Sequence, residues 1–540
     1  MMWEQIYTPV AGSLAASTAV AAIPIFILLY LLGIKRKPSW LASLVGLAAA
    51  GVIAVFVCRM PLGTMLSAVG FGAAFGLFPI GWIVFSSILL YRVTVETGKF
   101  EIIKDSVGSL TGDRRLQALL IAFAFGAFIE GAAGFGAPVA VAAAMLTGLG
   151  FSPLYAAGIC LVANTAPVAF GSIGIPIVTL NAVTGLPLDR LSAGVGRICA
   201  PISVFVPTYL IAVMGGRKAL KGVLPGVLAC GISFAGTQFV VSNFVGPQLT
   251  DILSSLAAIG ALVLLLLVWK PKDEFTLPGN HATTVERKHH SPRELWLAWA
   301  PYGILVVMVL LWGMFKTPLG RATITFPWPG LHEQVIQIPP VTAAPTPYKA
   351  MYRFDWLGAA GTACFLATVL SALLLGMSPR KFWRVFWTTA RQLSFPLLTI
   401  VSVLALAFLM NYAGSTATLG LAFAATGVLF PFFSSMLGWV GVFLTGSDTS
   451  ANALFGNLQV VTANRLNLNP VLLAAANSAG GVMGKMISLQ SIAVAAAATG
   501  MPTSDEAKLF RFTLRHSVIL ACAIGLIVTF YAYVMPQWAP

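Results

Sequence analysis

The sequence has few charged residues, few histidines and no closely paired cysteines. Only 9% of its 540 residues are charged, whereas a soluble domain carries about 25%. The six cysteines show no CxxC spacing, so neither a zinc site nor a disulfide framework is indicated. Histidine occurs only in predicted loops and at one segment boundary. With 58% hydrophobic residues, this composition predicts a polytopic membrane protein that holds no metal and no cofactor.

The basic residues are spread over the short connections between apolar segments. The formal net charge is +15, but the scattered Lys and Arg residues do not form the patch of a nucleic-acid-binding surface. Their distribution is typical of the positive-inside rule, so no nucleic-acid partner is predicted. Under that rule both termini lie outside, and the cytoplasmic connections are 35–37, 92–115, 217–221, 270–293, 380–391 and 508–515.

A glycine-rich, helix-breaking motif occurs twice within the apolar sequence. Phe128-Ile-Glu-Gly in the first copy aligns with Phe443-Leu-Thr-Gly in the second, and Asn164-Thr-Ala aligns with Asn477-Ser-Ala. The glycine of each motif precedes its asparagine by 33 and 31 residues, so the spacing is nearly conserved between the copies. Two such units predict a transporter whose interrupted helices meet near mid-membrane. Chance recurrence of small-residue motifs in membrane helices is the alternative.

The apolar segments predict an all-α membrane protein with roughly 12 to 14 transmembrane segments in two halves, and leave the number of crossings around the hairpins open. The first half, 1–269, contains the first unit at 126–187. The second half, 295–540, contains the second unit at 441–502. The polar segment 270–294 is predicted to be a flexible cytoplasmic linker between them.

Two segments constrain the topology further. Leu116 to Gly150 is too long for one simple span, and the charge pattern predicts that it either re-enters and leaves on the same side or crosses twice. The Pro- and Thr-rich connection that ends at Phe354 is predicted to be external. Inverted repeats should place corresponding loops on opposite faces, whereas the clusters 217–221 and 508–515 both indicate the cytoplasm.

Three charged residues are predicted to lie deep within apolar segments. Glu130 and Asp448 are the only acidic residues expected there, and both belong to the repeated motif, so each is a candidate for carrying a proton. Lys485 is the single lysine at depth, where it suits an anionic substrate or Asp448. The structural alternatives are carboxylates that accept backbone N–H bonds and a Lys485–Asp448 pair that only holds the fold.

Polar and glycine positions at the helix breaks are candidates for binding a substrate. Backbone N–H groups at half-helix ends can hold a carboxylate, and an asparagine side chain can recognise a neighbouring hydroxyl. No single one identifies a site, because hydroxyl groups also bond their own helix backbone in membranes. The candidates are Gly134, Gly136, Asn164, Thr165, Ser172, Ser447, Thr449, Asn477, Ser478 and Gln490.

Long motifs in the sequence closely resemble those of the bacterial lactate permease family. They are Phe128–Ala140, Asn164–Gly171, Gly441–Ser450 and Gly484–Ser488, and the likeness extends from Trp3 to the last apolar segment. The resemblance implies an inner-membrane proton symporter for L-lactate, D-lactate and glycolate, surrounded by membrane lipid. It also implies the hairpin-containing, inverted-repeat architecture of the ion-transporter superfamily. No residue decides the substrate preference or the oligomeric state.

The resulting hypothesis assigns roles to the candidate residues. Lys485 holds the substrate carboxylate, Asn164 or Asn477 its hydroxyl, and Asp448 or Glu130 carries the proton. A sodium-coupled or exchange transporter is the main alternative, and a channel-like or sensory membrane protein is a second. A membrane enzyme has least support, because no ATP-binding, nucleophile or metal motif occurs.

Overall fold

The computed structural model describes residues 2–134, 136–273, 275 and 290–539. Within them, twelve helices are long and apolar enough to cross a membrane, or thirteen if one bent helix pair counts as a span. This confirms the predicted all-α polytopic fold. Most of the predicted linker, 270–294, lies outside the described residues.

Helices form most of the described chain in both halves. The α-helices of the first half are α1 (Leu14–Gly33), α2 (Ser39–Val52), α3 (Leu62–Phe75), α4 (Trp82–Glu96), α5 (Lys99–Gly108), α6 (Arg114–Gln117), α7 (Gly126–Ala132), α8 (Ala137–Gly148), α9 (Pro153–Ala163), α10 (Gly171–Thr184), α11 (Leu188–Gly222), α12 (Leu224–Phe244) and α13 (Thr250–Val268). Those of the second half are α14 (Pro292–Met314), α15 (Lys316–Gly320), α16 (Ala360–Leu374), α17 (Pro379–Tyr412), α18 (Ser415–Phe423), α19 (Phe430–Thr445), α20 (Asp448–Arg465), α21 (Pro470–Lys485), α22 (Leu489–Thr499) and α23 (Glu506–Tyr533). The π-helical turns are Ile53–Val57, Gly76–Gly81 and Ala118–Phe125, and the 3-10 turns are Val168–Phe170, Ala424–Leu429, Thr503–Asp505 and Pro536–Trp538. The strands are β1 (Trp3–Glu4), β2 (Ile324–Pro327), β3 (Val335–Gln337), β4 (Thr346–Pro347) and β5 (Met351–Phe354).

The helices run between two ends of the molecule, which we call the basic end and the N-terminal end. One hydrogen bond identifies each of them. At the basic end, Lys381 donates to the carbonyl of Glu96 at 2.6 Å. At the opposite end, called the N-terminal end, Gln5 donates to the carbonyl of Tyr412 at 2.9 Å. Lys381 and Tyr412 are the two extremities of the 34-residue helix α17, which at 1.5 Å per residue is about 50 Å long. The two ends are therefore separated by more than the thickness of a bilayer core.

The first glycine-rich motif forms a hairpin that opens toward the basic end. Its first arm is the continuous helix 114–132, and α8 is its second arm. Arg114, at the start of the first arm, donates to the carbonyl of Leu149, just after the second arm. The segment therefore leaves on the side where it enters, as the charge pattern predicts.

The second motif forms a hairpin that opens toward the N-terminal end. Its arms are α19 and α20. Near the end of α20, the Thr462 hydroxyl donates to the carbonyl of Gly420 in α18 at 3.0 Å. In the same helix α18, Thr418 donates to the carbonyl of Tyr7 at 2.9 Å. The two hairpins thus enter the protein from opposite ends.

The basic clusters 217–221 and 508–515 occupy different positions relative to their helices. The first cluster closes α11, where Arg115 donates to the carbonyl of Ala219 at 3.4 Å. The second cluster lies in the first turns of α23, which share a crevice with Arg36 and Lys37. Helix α11 therefore ends at the basic end, whereas α23 begins there. Both basic clusters can lie on the same side of the membrane because the two helices run in opposite directions, so their shared location does not contradict an inverted arrangement.

The connection between α14 and α16 contains strands, which the sequence did not predict. Strands β2 and β5 pair antiparallel, and β3 pairs antiparallel with β4. The N-terminal strand β1 adds to β3 in parallel, with Trp3 opposite Val335. The strands thus form two small sheets, and the three-stranded one fixes the N-terminus beside the connection predicted to be external.

Candidate functional site

Glycines build the break in the first hairpin. Helix α7 ends at Ala132, and Gly134 and Gly136 then have φ angles of +62° and +82°, in the left-handed region that glycine tolerates best. Helix α8 starts at Ala137. This break places Glu130 in the last turn of α7, where its side chain is buried.

A second irregular segment lies between α9 and α10, which meet at a bend of 65°. Ser172, Ile173 and Gly174 have φ angles of +48°, +59° and +75° at the start of α10. A left-handed turn is strained for the first two of these residues, because their Cβ atoms approach the following carbonyl. The Ser172 hydroxyl donates to the carbonyl of Ala133 at 2.9 Å and fastens this turn to the break of the first hairpin.

In the second hairpin, Gly446 ends α19 with a φ angle of +72°. Ser447 then caps α20, because its hydroxyl oxygen accepts a hydrogen bond from the N–H of Ser450 at 3.2 Å. Asp448 is consequently the first residue of α20. The positive end of this helix dipole faces the interior of the protein, where it favours an anion.

Close packing of α21 against α19 places Lys485. A side chain at Gly480 or Gly484, one helical turn apart, would collide with the α19 backbone at Ser435 or Trp439. Small residues at this spacing let two membrane helices approach closely. Lys485 therefore ends α21 beside the second hairpin, pointing toward the first.

An ion pair joins the two motifs. The Lys485 ammonium lies 3.2 Å from Glu130 Oε1, and the two side chains are 12% and 4% exposed. The second oxygen, Glu130 Oε2, has no partner in the described chain. Gly171 leaves room for the carboxylate, because a Cβ there would lie 2.6 Å from Oε1. The partner of Lys485 in this structure is thus Glu130, and not Asp448 as the structural alternative supposed.

Asp448 is held by neighbours in its own half of the chain. Its Oδ2 accepts hydrogen bonds from the Ser478 hydroxyl at 2.6 Å and from the Asn452 amide at 3.4 Å. Its Oδ1 has no partner in the described chain. A side chain at Gly481 would collide with that oxygen, so the carboxylate fills the space that this glycine leaves.

A polar network extends from Asp448 through the second hairpin. The Asn477 amide donates to Asn452 Oδ1 at 3.0 Å, and Asn477 Oδ1 accepts from Gln459 at 3.1 Å. Asn452 also donates to the carbonyl of Pro176 in α10 at 3.1 Å. The network therefore ties α20 and α21 together and connects them to the first half.

These groups surround a cavity of about 370 Å³ between the two motifs. The cavity extends to Ser39 and Trp40 at the start of α2, which is toward the basic end. Eight residues predicted for the site line it: Glu130, Gly136, Ser172, Ser447, Asp448, Thr449, Lys485 and Gln490.

The other predicted residues lie behind the cavity wall. Asn477 and Ser478 belong to the polar network, and Thr165 donates to the carbonyl of Val162 in its own helix at 2.7 Å. Asn164 is buried, and neither its amide nitrogen nor its oxygen has a partner among the described residues. Gly134 supports the break and does not line the cavity.

The sequence reasoning missed one buried acid. Asp251 was placed at a segment end, because it precedes the apolar run that starts at Ile252. In the structure it lies in the first turn of α13 with 1% exposure, beside the first hairpin. Its position next to an apolar run, with no basic residue close in sequence, was the available signal.

The chemistry of the cavity suits a small organic anion. It combines an ammonium group, the N-terminus of α20 and several hydroxyl and amide groups, which together can hold a carboxylate and a hydroxyl. Among the residues that the structure describes, no three His, Cys, Asp or Glu side chains form a group suited to a metal ion.

Comparison with known proteins identifies the family of the chain. The family model described as L-lactate permease matches residues 17–535 of the chain. The chain belongs to the L-lactate permease family. As a member of this family it is a multi-pass membrane transporter of a small molecule, and not an enzyme.

Two curated relatives are similar to this chain over essentially their whole length. The L-lactate permease of Bacillus subtilis is 47% identical over 568 residues, covering 100% of both chains. The glycolate permease GlcA of Escherichia coli is 48% identical over 552 residues, covering 98% of both chains.

A solved structure shares the overall fold. MtrF of Neisseria gonorrhoeae, described as one of a class of antimetabolite efflux pumps, has a TM-score of 0.50 and 12% sequence identity. The match covers 94% of the permease-family chain and 97% of MtrF. At this identity the likeness concerns the fold alone.

Proposed function

We propose that this protein imports L-lactate and the related 2-hydroxymonocarboxylates D-lactate and glycolate together with protons across the bacterial inner membrane. The names of the relatives support the substrate class. The observation that carries the coupling is the ion pair between Lys485 and Glu130 at the cavity. It is the contact at which binding an anion and binding a proton depend on each other.

The charge balance of the cavity explains this dependence. In the empty site Lys485 and Glu130 neutralise each other. A substrate carboxylate that takes over the ammonium would leave Glu130 as an unpaired buried anion, which is costly in a membrane interior. Protonation of Glu130 removes that charge, so one anion and one proton bind together and the loaded site stays neutral.

The geometry favours Glu130 over Asp448 as the carrier of the coupled proton. Glu130 shares its ammonium partner with the substrate, whereas Asp448 is bonded by Ser478 and Asn452 within the second unit. In this proposal Asp448 and the N-terminus of α20 shape the substrate site, and Lys485 holds the carboxylate.

The substrate hydroxyl is assigned to groups that line the cavity. Ser447, Thr449 and Gln490 present hydroxyl and amide groups to it, and Ser172 stands on the facing wall. Asn164 and Asn477, the residues first expected to recognise the hydroxyl, lie behind the wall. Their proposed role is to support the half-helices that form it.

The two halves of the chain are proposed to be inverted repeats. The hairpins enter from opposite ends, and each is followed by an interrupted crossing helix. With the basic end in the cytoplasm, both termini are periplasmic, and the cavity, which extends toward Trp40, faces inward. The segment 270–294 would then link the halves in the cytoplasm.

Uptake into proteoliposomes tests the proposal. Labelled L-lactate, D-lactate and glycolate are offered under an imposed pH gradient, with and without sodium. The wild type should accumulate substrate against its gradient independently of sodium. Glu130→Gln should reduce this accumulation by about a hundredfold, because the coupled proton has no acceptor.

The matched control is Glu101→Gln on the amphipathic helix α5, where the carboxylate pairs with Lys104 at the surface. It should transport like the wild type. A requirement for sodium would establish the sodium-coupled alternative, and equilibration without accumulation would indicate a channel. If Glu130→Gln kept normal coupling and Asp448→Asn lost it, the coupled proton would be assigned to Asp448.

A further inference from the structure

A third buried carboxylate, Asp251, has no role in the cycle described so far. It lies in the first turn of α13 and is 1% exposed. Neither of its two oxygens has a hydrogen-bond partner among the described residues. An ionised carboxylate without donors is expensive to bury, whereas a protonated acid is neutral. The surroundings of Asp251 therefore suit a bound proton.

Asp251 packs against Gly131, the residue that follows Glu130. A Cβ atom added to Gly131, the residue after Glu130, would lie 2.7 Å from the Asp251 Cβ, so glycine is what lets α7 and α13 approach at this point. Glu130 lines the substrate cavity, but Asp251 does not. Glu130 therefore bonds Lys485 at the cavity, and the next residue of its helix contacts Asp251 outside the cavity lining.

Few other titratable groups surround Asp251. The elements packed against α13 are α10, α12 and the arm 114–132. Glu130 is the acid of that arm near Asp251, α12 contributes the buried Cys230, and α10 contains no titratable side chain. Lys485 on α21 and Cys199 on α11 also interact electrostatically with Asp251.

The charges of the interior do not balance if every acid is ionised. Within the described membrane interior, Glu130, Asp251 and Asp448 are three carboxyl groups near the single ammonium of Lys485. An excess of buried negative charge is strongly unfavourable, so at least one of these groups holds a proton. Asp251 has the fewest donors of the three.

We propose that Asp251 is a second proton-binding site, which supplies the proton that Glu130 uses. In the transfer, the O–H bond on Asp251 breaks and an O–H bond forms on Glu130, with a bridging water relaying the proton, because the two carboxyl groups are not hydrogen-bonded to each other in this structure. Glu130 becomes neutral and releases Lys485 to the substrate, and the Asp251 carboxylate then takes up a proton from the medium. The proton thus reaches Glu130 by a route separate from the substrate cavity. This inference rests on the proposed proton-coupled function.

The test separates net transport from exchange in proteoliposomes. Exchange of labelled for unlabelled L-lactate at equal pH needs no net proton movement, whereas accumulation under a pH gradient does. Asp251→Asn should lose proton-driven accumulation by about a hundredfold, together with the substrate-dependent pH change inside the vesicles, while exchange persists. Ser255→Ala, one turn further along α13 and equally buried, should accumulate like the wild type.

The outcomes distinguish this inference from the proposed function. A wild type that does not accumulate lactate under a pH gradient overturns the proposed function. A wild type that does, with equal accumulation by Asp251→Asn, overturns the role of Asp251 alone. If Asp251→Asn fails to fold, Asp251→Glu decides: the pH midpoint of uptake should shift because the carboxyl group is displaced, and an unchanged midpoint overturns the inference.

Discussion

The two hairpin units differ in how completely their buried polar groups are bonded. In the second unit, Asn477 donates to Asn452 at 3.0 Å and accepts from Gln459 at 3.1 Å. In the first unit, the matching Asn164 is also buried, yet its amide has no partner in the described chain. The asparagine of the second motif is therefore part of a hydrogen-bonded network, whereas the asparagine of the first motif is not.

The carboxylates show the same contrast. Asp448 has two side-chain donors, Glu130 has one, and Asp251, which lies against the first hairpin, has none in the described chain. Buried polar groups are normally satisfied, so a concentration of unsatisfied ones indicates a function. In the proposed function, the open groups of the first unit are the ones that receive protons, water or substrate, and the bonded network of the second unit supports them.

Removal of the cation that joins the two units should have the largest effect on the protein. Lys485→Met should lower the free energy of unfolding by about 3 to 5 kcal/mol, because it leaves Glu130 as an uncompensated buried acid. Lactate binding should be lost as well. Denaturant unfolding in detergent and calorimetric titration with lactate measure the two effects.

Two further variants make that measurement specific. Lys508→Met removes an exposed ion pair with Asp505 and should change stability very little. Adding Glu130→Gln to Lys485→Met should recover part of the lost stability, because the unpaired charge disappears. If the double variant were as unstable as the sum of the single ones, the two side chains would not form a coupled pair.

An effect of intermediate size on the free energy of unfolding should distinguish Asn477 from Asn164. Asn477→Ala breaks the network and leaves Asn452 without its donor, so it should cost about 2 kcal/mol of unfolding free energy. Asn164→Ala removes no side-chain hydrogen bond of the described chain, so it should cost clearly less and act mainly on transport. Unfolding and uptake measured side by side provide the comparison, and equal stability losses would contradict it.

The sequence predicted where the helices break, because glycine runs inside apolar segments have few other structural explanations. It also placed Lys485, Glu130 and Asp448 in one interior. It did not identify the partner of Lys485, because that pair spans 355 positions of the chain and depends on how closely α21 packs against the hairpins. By charge alone, either Glu130 or Asp448 could have been the partner of Lys485.

The remaining errors have two physical causes. Asp251 was assigned to a segment boundary because hydropathy marks where an apolar run begins, and not how deeply its first turn is covered by neighbouring helices. The two small sheets were missed because their strands are only two to four residues long, and because one of these sheets includes the distant N-terminal strand. Short strands of this kind carry no alternating pattern that identifies them.

The smallest effect is expected at Ser172, which follows Asn164 by eight residues as Lys485 follows Asn477. Ser172→Ala keeps the strained left-handed backbone and loses the bond to Ala133, so it should cost about 1 kcal/mol of unfolding free energy. Ser172→Gly loses the same bond but relieves a strain of about 1 kcal/mol, so its net effect should be close to zero. Thermal unfolding of the two variants measures this difference. If glycine were the more damaging residue, the hydroxyl would not be the feature that holds this turn, and the mobility of the turn would matter more than its hydrogen bond.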